Sequence, residues 1–329
     1  MEKIYPDLIA SDKEKLKEFL KNHNLAYEEN IESTYVLREE GKIVASGSRS
    51  KNIIKSLAIN DSYQGSKVIN ELISLLINEI HAGGFDNIFI YTKPSNEETF
   101  THLGFKKIEE VPDKLVFMER SDNFSDYLAY LDQNRVDVPN PGAVVINANP
   151  LTLGHLSLID YGLSEVDFLY VFLVSEDASF FSSKDRLKIV KEALYDKKRV
   201  KILTTDDYLV SKASFPSYFL DEDEDVTKIY TKLDAYIFKN HIGKRLGIKK
   251  RFVGDEKEDK TTNIYNQTMA EIFIKEPNPI DLVEIERKKI NGQAISASRV
   301  RKLIKEKSFD KLEDLVPKAS LRLIEDKFK

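Results

Sequence analysis

The 329-residue chain has no cysteine. That excludes disulfides, thiolate metal sites and cysteine nucleophiles. It suits a reducing compartment, so a cytoplasmic protein is expected. Histidine is scarce: there are five, none paired at ligand spacing, which speaks against a zinc site. No apolar run approaches the roughly 18 residues of a membrane span, and Met1-Glu2-Lys3-Ile4-Tyr5-Pro6 has no apolar stretch of the secretory kind. A membrane partner is therefore not expected. There is no excess of positive charge either. The net charge of −5 argues against non-specific nucleic-acid binding. Repeats and low-complexity tracts are missing too. What is present is a hydrophobic content of 41%, enough for ordinary cores, and a length that favours two domains over one.

The first 122 residues read as an α+β unit. Ser11-Asp12-Lys13-Glu14 has the form of a capping box ahead of Leu16, Phe19 and Leu20. β-rich runs at 34–37 and 43–45 flank Glu39-Glu40-Gly41-Lys42 as a hairpin would. Residues 53–59 form another strand. Asn60 to Lys67 then leads into a long apolar helix through Ile80, which Gly83-Gly84 ends. A strand at 88–92, a short helix at 96–102 and strands near 106–108 and 115–119 follow. At 123–142 a short amphipathic helix (Phe124, Tyr127, Leu128, Leu131) runs into Val138-Pro139-Asn140-Pro141-Gly142, a break that cannot stay helical. The domain boundary is expected in this linker.

Residues 143–329 alternate strand and helix. Strands are expected at 143–147, 168–174, 200–203, 249–253 and 281–285. Helices are expected at 154–164, 184–195, 226–246, 262–274, 298–306 and in the C-terminal tail. This is the pattern of a doubly wound, Rossmann-like parallel sheet, which binds ligands outside the carboxyl ends of its strands. After the first strand comes Asn147-Ala148-Asn149-Pro150-Leu151-Thr152-Leu153-Gly154-His155, a polar turn that opens a helix. Helix N-termini attract anions, and this one carries a hydroxyl, a glycine and an imidazole. Ile295-Ser296-Ala297-Ser298-Arg299-Val300-Arg301 is a second loop-to-helix junction, with two hydroxyls and two arginines. Two anion cradles suit a polyphosphate better than a single anion.

Thr152-Leu153-Gly154-His155 resembles the (H/T)xGH signature of the nucleotidyltransferase (HIGH) superfamily. The segment 295–301 resembles its ISSxxxR signature. In the front part, Tyr63-Gln64-Gly65 at a strand–helix junction and Phe100-Thr101-His102-Leu103-Gly104-Phe105-Lys106 resemble the GNAT acyl-CoA N-acetyltransferases, with Lys67 where that family carries a second glycine. That resemblance makes Gln64 and Gly65 candidates for holding a CoA-type group. It implies a retained fold that docks such a group or a partner. Residues 147–155, Ser175-Glu176-Asp177, Phe215-Pro216-Ser217-Tyr218-Phe219-Leu220, Val253-Gly254, Thr262 and Tyr265-Asn266-Gln267-Thr268-Met269 look like those of the citrate lyase ligases. That family also sets a GNAT-like domain ahead of its nucleotidyltransferase domain.

The resemblance implies a reaction of acetate with ATP to give acetyl-AMP and pyrophosphate. The acetyl group then passes to the thiol of a dephospho-CoA-type group on the acyl carrier subunit of citrate lyase. It implies that His155 donates to a phosphate oxygen and that Thr152 contacts the same triphosphate. Asn147, Asn149, Gly154 and Gly254 would surround the nucleotide. Ser296, Ser298 and Arg301 would hold the leaving phosphates, Lys184 or Arg186 would line the phosphate path, and Mg²⁺ would ride on phosphate oxygens. Blander roles stand beside these. Ser296 and Ser298 also fit as helix caps, Arg299 as a solvated cation or a surface ion-pair partner, and Glu176 and Asp177 either as polar flanks or as active-site acids. Asp221-Glu222-Asp223-Glu224-Asp225 reads as a solvated flank favouring the next helix start. His81, His102 and His241 read as structural groups near helix ends. Adenylylation of a phosphorylated small molecule, of the pantetheine-phosphate or nicotinamide-mononucleotide type, shares the same turn chemistry. An N-acetyltransferase with a decayed nucleotide domain and a non-enzymatic nucleotide sensor are the other readings.

Overall fold

In the computed structural model the described residues are all except 64–66, 176–179, 210–214, 221–224 and 256–259, with the side chains of 260–262 also left aside. Gln64, Gly65, Glu176, Asp177 and the acids 221–224 thus lie outside the described residues, as does the side chain of Thr262. The chain divides into two compact units. One comprises Met1–Asp126 with Lys212–Leu233, and the other Tyr127–Ser211 with Asp234–Lys329.

The first unit is built on a seven-stranded sheet: β1 (Glu2–Ile4), β2 (Ser33–Glu39), β3 (Lys42–Ser50), β4 (Ile53–Ile59), β5 (Phe89–Thr92), β6 (Lys106–Val111) and β7 (Leu115–Glu119). Their order is β1-β2-β3-β4-β5-β7-β6. Neighbours are antiparallel except β4 and β5, which run parallel and pair only at Ile53↔Phe89 and Ile54↔Ile90. The helices are α1 (Ala10–Lys21), α2 (Val68–Ala82) and α3 (Glu97–His102). Helix α2 buries Leu72, Ile73, Leu76, Ile77 and Ile80, the stripe that a 3.6-residue period predicts. The expected capping box at 11–14 does not form. Helix α1 begins two residues earlier, behind Ile9, with no side-chain cap. Asp12 instead accepts from Arg38 Nη2 at 3.2 Å, so its carboxylate is used in an ion pair.

Sequence reading set 143–329 apart as one domain, whereas Lys212–Leu233 packs with the first unit. There the Tyr218 carbonyl accepts from Ala26 N–H at 2.7 Å, and Tyr218 N–H donates to Glu28 Oε1 at 3.0 Å. Phe215, Tyr218 and Phe219 are buried. Nothing in the local pattern of 215–220 signals this excursion, because it depends on tertiary partners far away in the chain.

The second unit has a five-stranded sheet of β8 (Pro141–Ile146), β9 (Phe168–Leu173), β10 (Val200–Thr204), β11 (Lys250–Gly254) and β12 (Asp281–Ile285). Its order is β10-β9-β8-β11-β12, with every pair parallel. Its helices are α5 (Leu153–Glu165), α6 (Ser183–Ala193), α8 (Lys244–Leu246), α9 (Lys260–Phe273), α10 (Ala297–Lys305) and α11 (Lys318–Phe328). Two further helices, α4 (Asn123–Gln133) and α7 (Val226–Ile237), lead from one unit's segment into the other's. The single helix expected over 226–246 is interrupted by a π-helical turn at Phe238–Gly243, between α7 and α8. Asp225 Oδ1 accepts from Lys228 N–H at 3.1 Å, so this acid caps the start of α7.

Val144, Ile146, Leu169, Val171 and Phe252 bury one sheet face against α5 and α6 through Ile159, Ile189 and Val190. The strand order reverses direction between β8 and β11. In a doubly wound sheet that switch point opens a crevice beyond the strand ends. The turn after β8 lies there.

Two elements escape sequence reading: the edge strand β1, and a hairpin of β13 (Lys289–Ile290) and β14 (Gln293–Ala294). The hairpin turns on Asn291 (φ 53°) and Gly292 (φ 75°). An Asn-Gly pair with both residues left-handed is the two-residue turn that matches strand twist. That dipeptide is the signal that could have revealed it.

Candidate nucleotide site

A cavity of about 410 Å³ opens at this switch point, within the size range of ligand pockets. Its wall includes Asn147, Thr152, Gly154 and His155 from the first motif, Gly254 after β11, and Ser296 and Ser298 from the second motif. The structure therefore brings both sequence motifs to one cavity.

The first motif is a capping box with histidine in the place usually taken by glutamate. Thr152 Oγ1 accepts from His155 N–H at 3.3 Å, and His155 Nδ1 accepts from Thr152 N–H at 3.0 Å. Since the Thr152 backbone can only donate, Nδ1 must carry a lone pair. A neutral ring then holds its proton on Nε2, leaving a donor for a phosphate oxygen. Burial lowers the His155 pKa from its ordinary 6.5 to about 4, with the Arg287 charge adding to the effect. His155 is thus neutral at pH 7. Between pH 6.5 and about 4 the unfolded chain takes up a proton here that the native chain refuses. Stability contributed at this position is therefore full above pH 6.5 and falls as the pH drops through that window. Urea titrations should show a steeper loss from pH 7 to 4.5 in the wild type than in His155→Gln. Equal slopes would remove the assignment.

Gly154 ties the two motifs together. A Cβ at this position would stand 2.9 Å from the Ile295 carbonyl oxygen and 3.4 Å from Thr152 Oγ1. Leu153 N–H donates to the Leu315 carbonyl at 2.9 Å, and Ser320 Oγ to the Leu151 carbonyl at 2.8 Å. The apolar cluster of Ile295, Val300, Ile304, Leu312, Leu315 and Ile324, with Leu153 against it, fixes α10 beside α5. Gly154→Ala should therefore force the two helix starts apart. We expect a loss of roughly 1–3 kcal/mol in chemical denaturation, the scale of overpacking, and weaker ATP binding. An unchanged midpoint would show that the contact yields freely.

In the second motif Ser296 caps α10, its hydroxyl accepting from Arg299 N–H at 3.2 Å. Ser298 Oγ accepts from Arg301 Nη2 at 2.9 Å. Arg301 itself is turned toward the first motif, donating from Nη1 to the Asn149 carbonyl at 2.6 Å. Arg299 has Nη1 buried without an acceptor among the described residues, so it is not simply a solvated cation.

Four expected site residues do not line the cavity. Asn149 is buried, and its side-chain oxygen accepts from Phe181 N–H at 3.0 Å. Arg301 is occupied as just described. Lys184 is exposed on α6. Arg186 is fully buried under the turn, with Nη1 donating to the Asn147 carbonyl (2.9 Å), Asn147 Oδ1 (2.8 Å) and the Val174 carbonyl (2.6 Å). The guanidinium groups of Arg186 and Arg301 hold the turn by satisfying its carbonyls, which the residue type alone could not distinguish from phosphate binding.

Three cations reach the cavity unannounced by either motif: Arg251, Arg287 and Lys288. Burial pulls Arg287 below its ordinary value while Asp255 opposes this, and arginine stays protonated at neutral pH. Lys288 sits beside the second motif because its carbonyl accepts from Ile295 N–H at 3.0 Å across the β13–β14 hairpin. The rule that ligands lie beyond strand carboxyl ends would have found Arg287 and Lys288, which follow the end of β12 after Glu286. Among the described residues no group of three His, Asp or Glu is placed to hold a metal ion. No helix of the described residues is long and apolar enough to cross a membrane.

A parallel, doubly wound sheet whose switch point carries a TxGH helix start and a second hydroxyl-capped helix start is a nucleotidyltransferase-type domain. The GNAT acetyltransferase domain family matches residues 5–114, and the citrate lyase ligase C-terminal domain family matches residues 141–324. The chain is 34% identical to the [citrate [pro-3S]-lyase] ligase of Klebsiella pneumoniae over 95% of its own length and 92% of that protein's. It is also 34% identical to the enzyme of that name from Escherichia coli, over 98% of this chain and 94% of that one. A phosphopantetheine adenylyltransferase of Syntrophus aciditrophicus is 39% identical over 19% of this chain and 39% of its own. The chain belongs to the citrate lyase ligase family, a family of enzymes.

Proposed function

We propose that the second unit adenylates acetate with ATP and that the enzyme then acetylates the prosthetic-group thiol of a citrate lyase acyl carrier subunit. The observation that carries the reading is the convergence of two helix N-termini, a neutral histidine donor and the cations Arg287 and Lys288 on one cavity. That is the provision a triphosphate needs. A carboxylate oxygen of acetate attacks the α-phosphorus. The bond from that phosphorus to the α–β bridging oxygen breaks, and pyrophosphate leaves with the electron pair. Negative charge grows on phosphate oxygens, so positioning and electrostatic stabilisation supply the catalysis. His155 would donate from Nε2 to one of those oxygens. Thr152, Gly154, Asn147 and Gly254 would border the nucleotide, and the α10 start with Ser296 and Ser298 would face the leaving phosphates. Arg186, Arg301 and Asn149 would act by holding the turn in shape. Glu286 is the one carboxylate among the described cavity residues. Mg²⁺ would accordingly enter on ATP, held by phosphate oxygens and water, and would offset phosphate charge.

The acceptor thiol belongs to the partner, in keeping with a chain that has no cysteine. The test is pyrophosphate release from ATP with acetate, with and without deacetylated citrate lyase. Release that acetate supports, together with acetylation of the carrier subunit, is the expected result. Release stimulated only by a phosphorylated acceptor such as pantetheine phosphate would replace this reading with adenylyl transfer to that acceptor.

A further inference from the structure

We propose that Arg251 is the residue that receives the carboxylate of the small-acid substrate, opposite the phosphate cradle of the same cavity. The assignment rests on the adenylation reading above and names a residue for its second substrate.

Strand β11 alternates its side chains between two sheet faces. Phe252 faces α5, where a Cβ on Gly162 would stand 3.1 Å from its ring and where the Tyr161 ring lies 6.2 Å away. Arg251 therefore faces the other side. There its guanidinium lies 4.2 Å from the Phe238 ring centre and 5.7 Å from that of Phe273. Only 3% of Arg251 is exposed, yet it reaches the cavity wall. Its Nε and Nη1 are buried and have no acceptor among the described residues.

Leaving donors of a buried cation unpaired is costly. Such a group persists where a ligand completes it. Cation–π contact with two phenylalanines holds the guanidinium plane in place without consuming its donors. Each of these donors shares an edge of the planar guanidinium with Nη2, and a carboxylate matches the paired N–H geometry of such an edge. The triphosphate already has its provision on the α5 side of the cavity: both helix starts, His155 and the two serines. The remaining anion of the reaction is the acid. Val145 and Val253 also line the cavity and offer an apolar wall to a short alkyl group.

The experiment titrates [1-¹³C]acetate into the full-length protein bound to Mg²⁺ and α,β-methylene-ATP, followed by NMR, for wild type, Arg251→Met and Arg251→Lys. Arg251→Met should weaken acetate at least about 10-fold, the scale of losing charge-assisted hydrogen bonds. Affinity for the ATP analogue should stay within about two-fold by the same scale. Arg251→Lys keeps the charge without the fork and should fall between. It decides the matter alone if the methionine variant does not fold. Unchanged acetate affinity in a folded variant would overturn the assignment. So would a parallel loss of analogue affinity, inorganic phosphate outcompeting acetate, or a wild type that binds no acetate. A wild type that binds acetate through Arg251 but makes no pyrophosphate would leave the assignment standing and refute the adenylation reading instead.

Discussion

His155→Ala should reduce ATP-dependent adenylation by about 10²-fold or more, the usual consequence of losing a transition-state donor. Folding should hardly change. The ring's structural share is one half of a capping box, worth about 1 kcal/mol. His155→Gln separates the two contributions. Its side chain can still accept from Thr152 N–H, so the cap survives, but the ring donor is gone. Both variants should bind ATP with an affinity near wild type and turn over slowly. A fall in binding without a fall in the chemical step would make His155 a ground-state contact. Because the free ring is neutral at pH 7, the rate should show no inflection from this residue between pH 6.5 and 8. A bound polyphosphate would raise its pKa by charge attraction, and the neutral ring already has the donor in place.

Arg186→Met should produce the largest loss of stability among single changes near the site. The side chain is fully buried, and its Nη1 serves the Asn147 carbonyl, Asn147 Oδ1 and the Val174 carbonyl. Methionine fills much of the volume but leaves all three acceptors without this donor. The expected cost is about 3–5 kcal/mol, the scale for removing one partner of a buried charged network. That is a large part of the 5–15 kcal/mol that holds a typical domain together. Arg186→Lys should recover a portion, since an ammonium can donate to some but not all of these oxygens. Urea denaturation reads the loss, and ATP affinity should fall in parallel because residues 147–155 are set on this guanidinium. A methionine variant of normal stability that had lost ATP binding would return Arg186 to the phosphate path.

The parallel sheet was legible because its strands are short β-branched or aromatic runs separated by helical periods. Both motifs could be placed because each straddles a strand-to-helix turn. What local pattern could not show was direction. Asn149, Arg186 and Arg301 have the chemistry of phosphate ligands, but three-dimensional packing turns them onto carbonyls and an amide of the turn region. The excursion of 212–233 into the first unit depends on distant partners such as Ala26 and Glu28. Arg251 had a readable signal. A charged residue inside a parallel strand that is covered on both faces needs a reason to be there. It stands in the run Lys249-Lys250-Arg251, inside the strand expected at 249–253.

The most direct test of the central claim is exchange of labelled pyrophosphate into ATP, with acetate present and no thiol acceptor. The half-reaction proposed for this cavity needs only ATP, Mg²⁺ and the acid. Exchange should therefore depend on acetate, disappear in His155→Ala and require no citrate lyase. Exchange indifferent to acetate, or seen only with a phosphorylated acceptor, would contradict it.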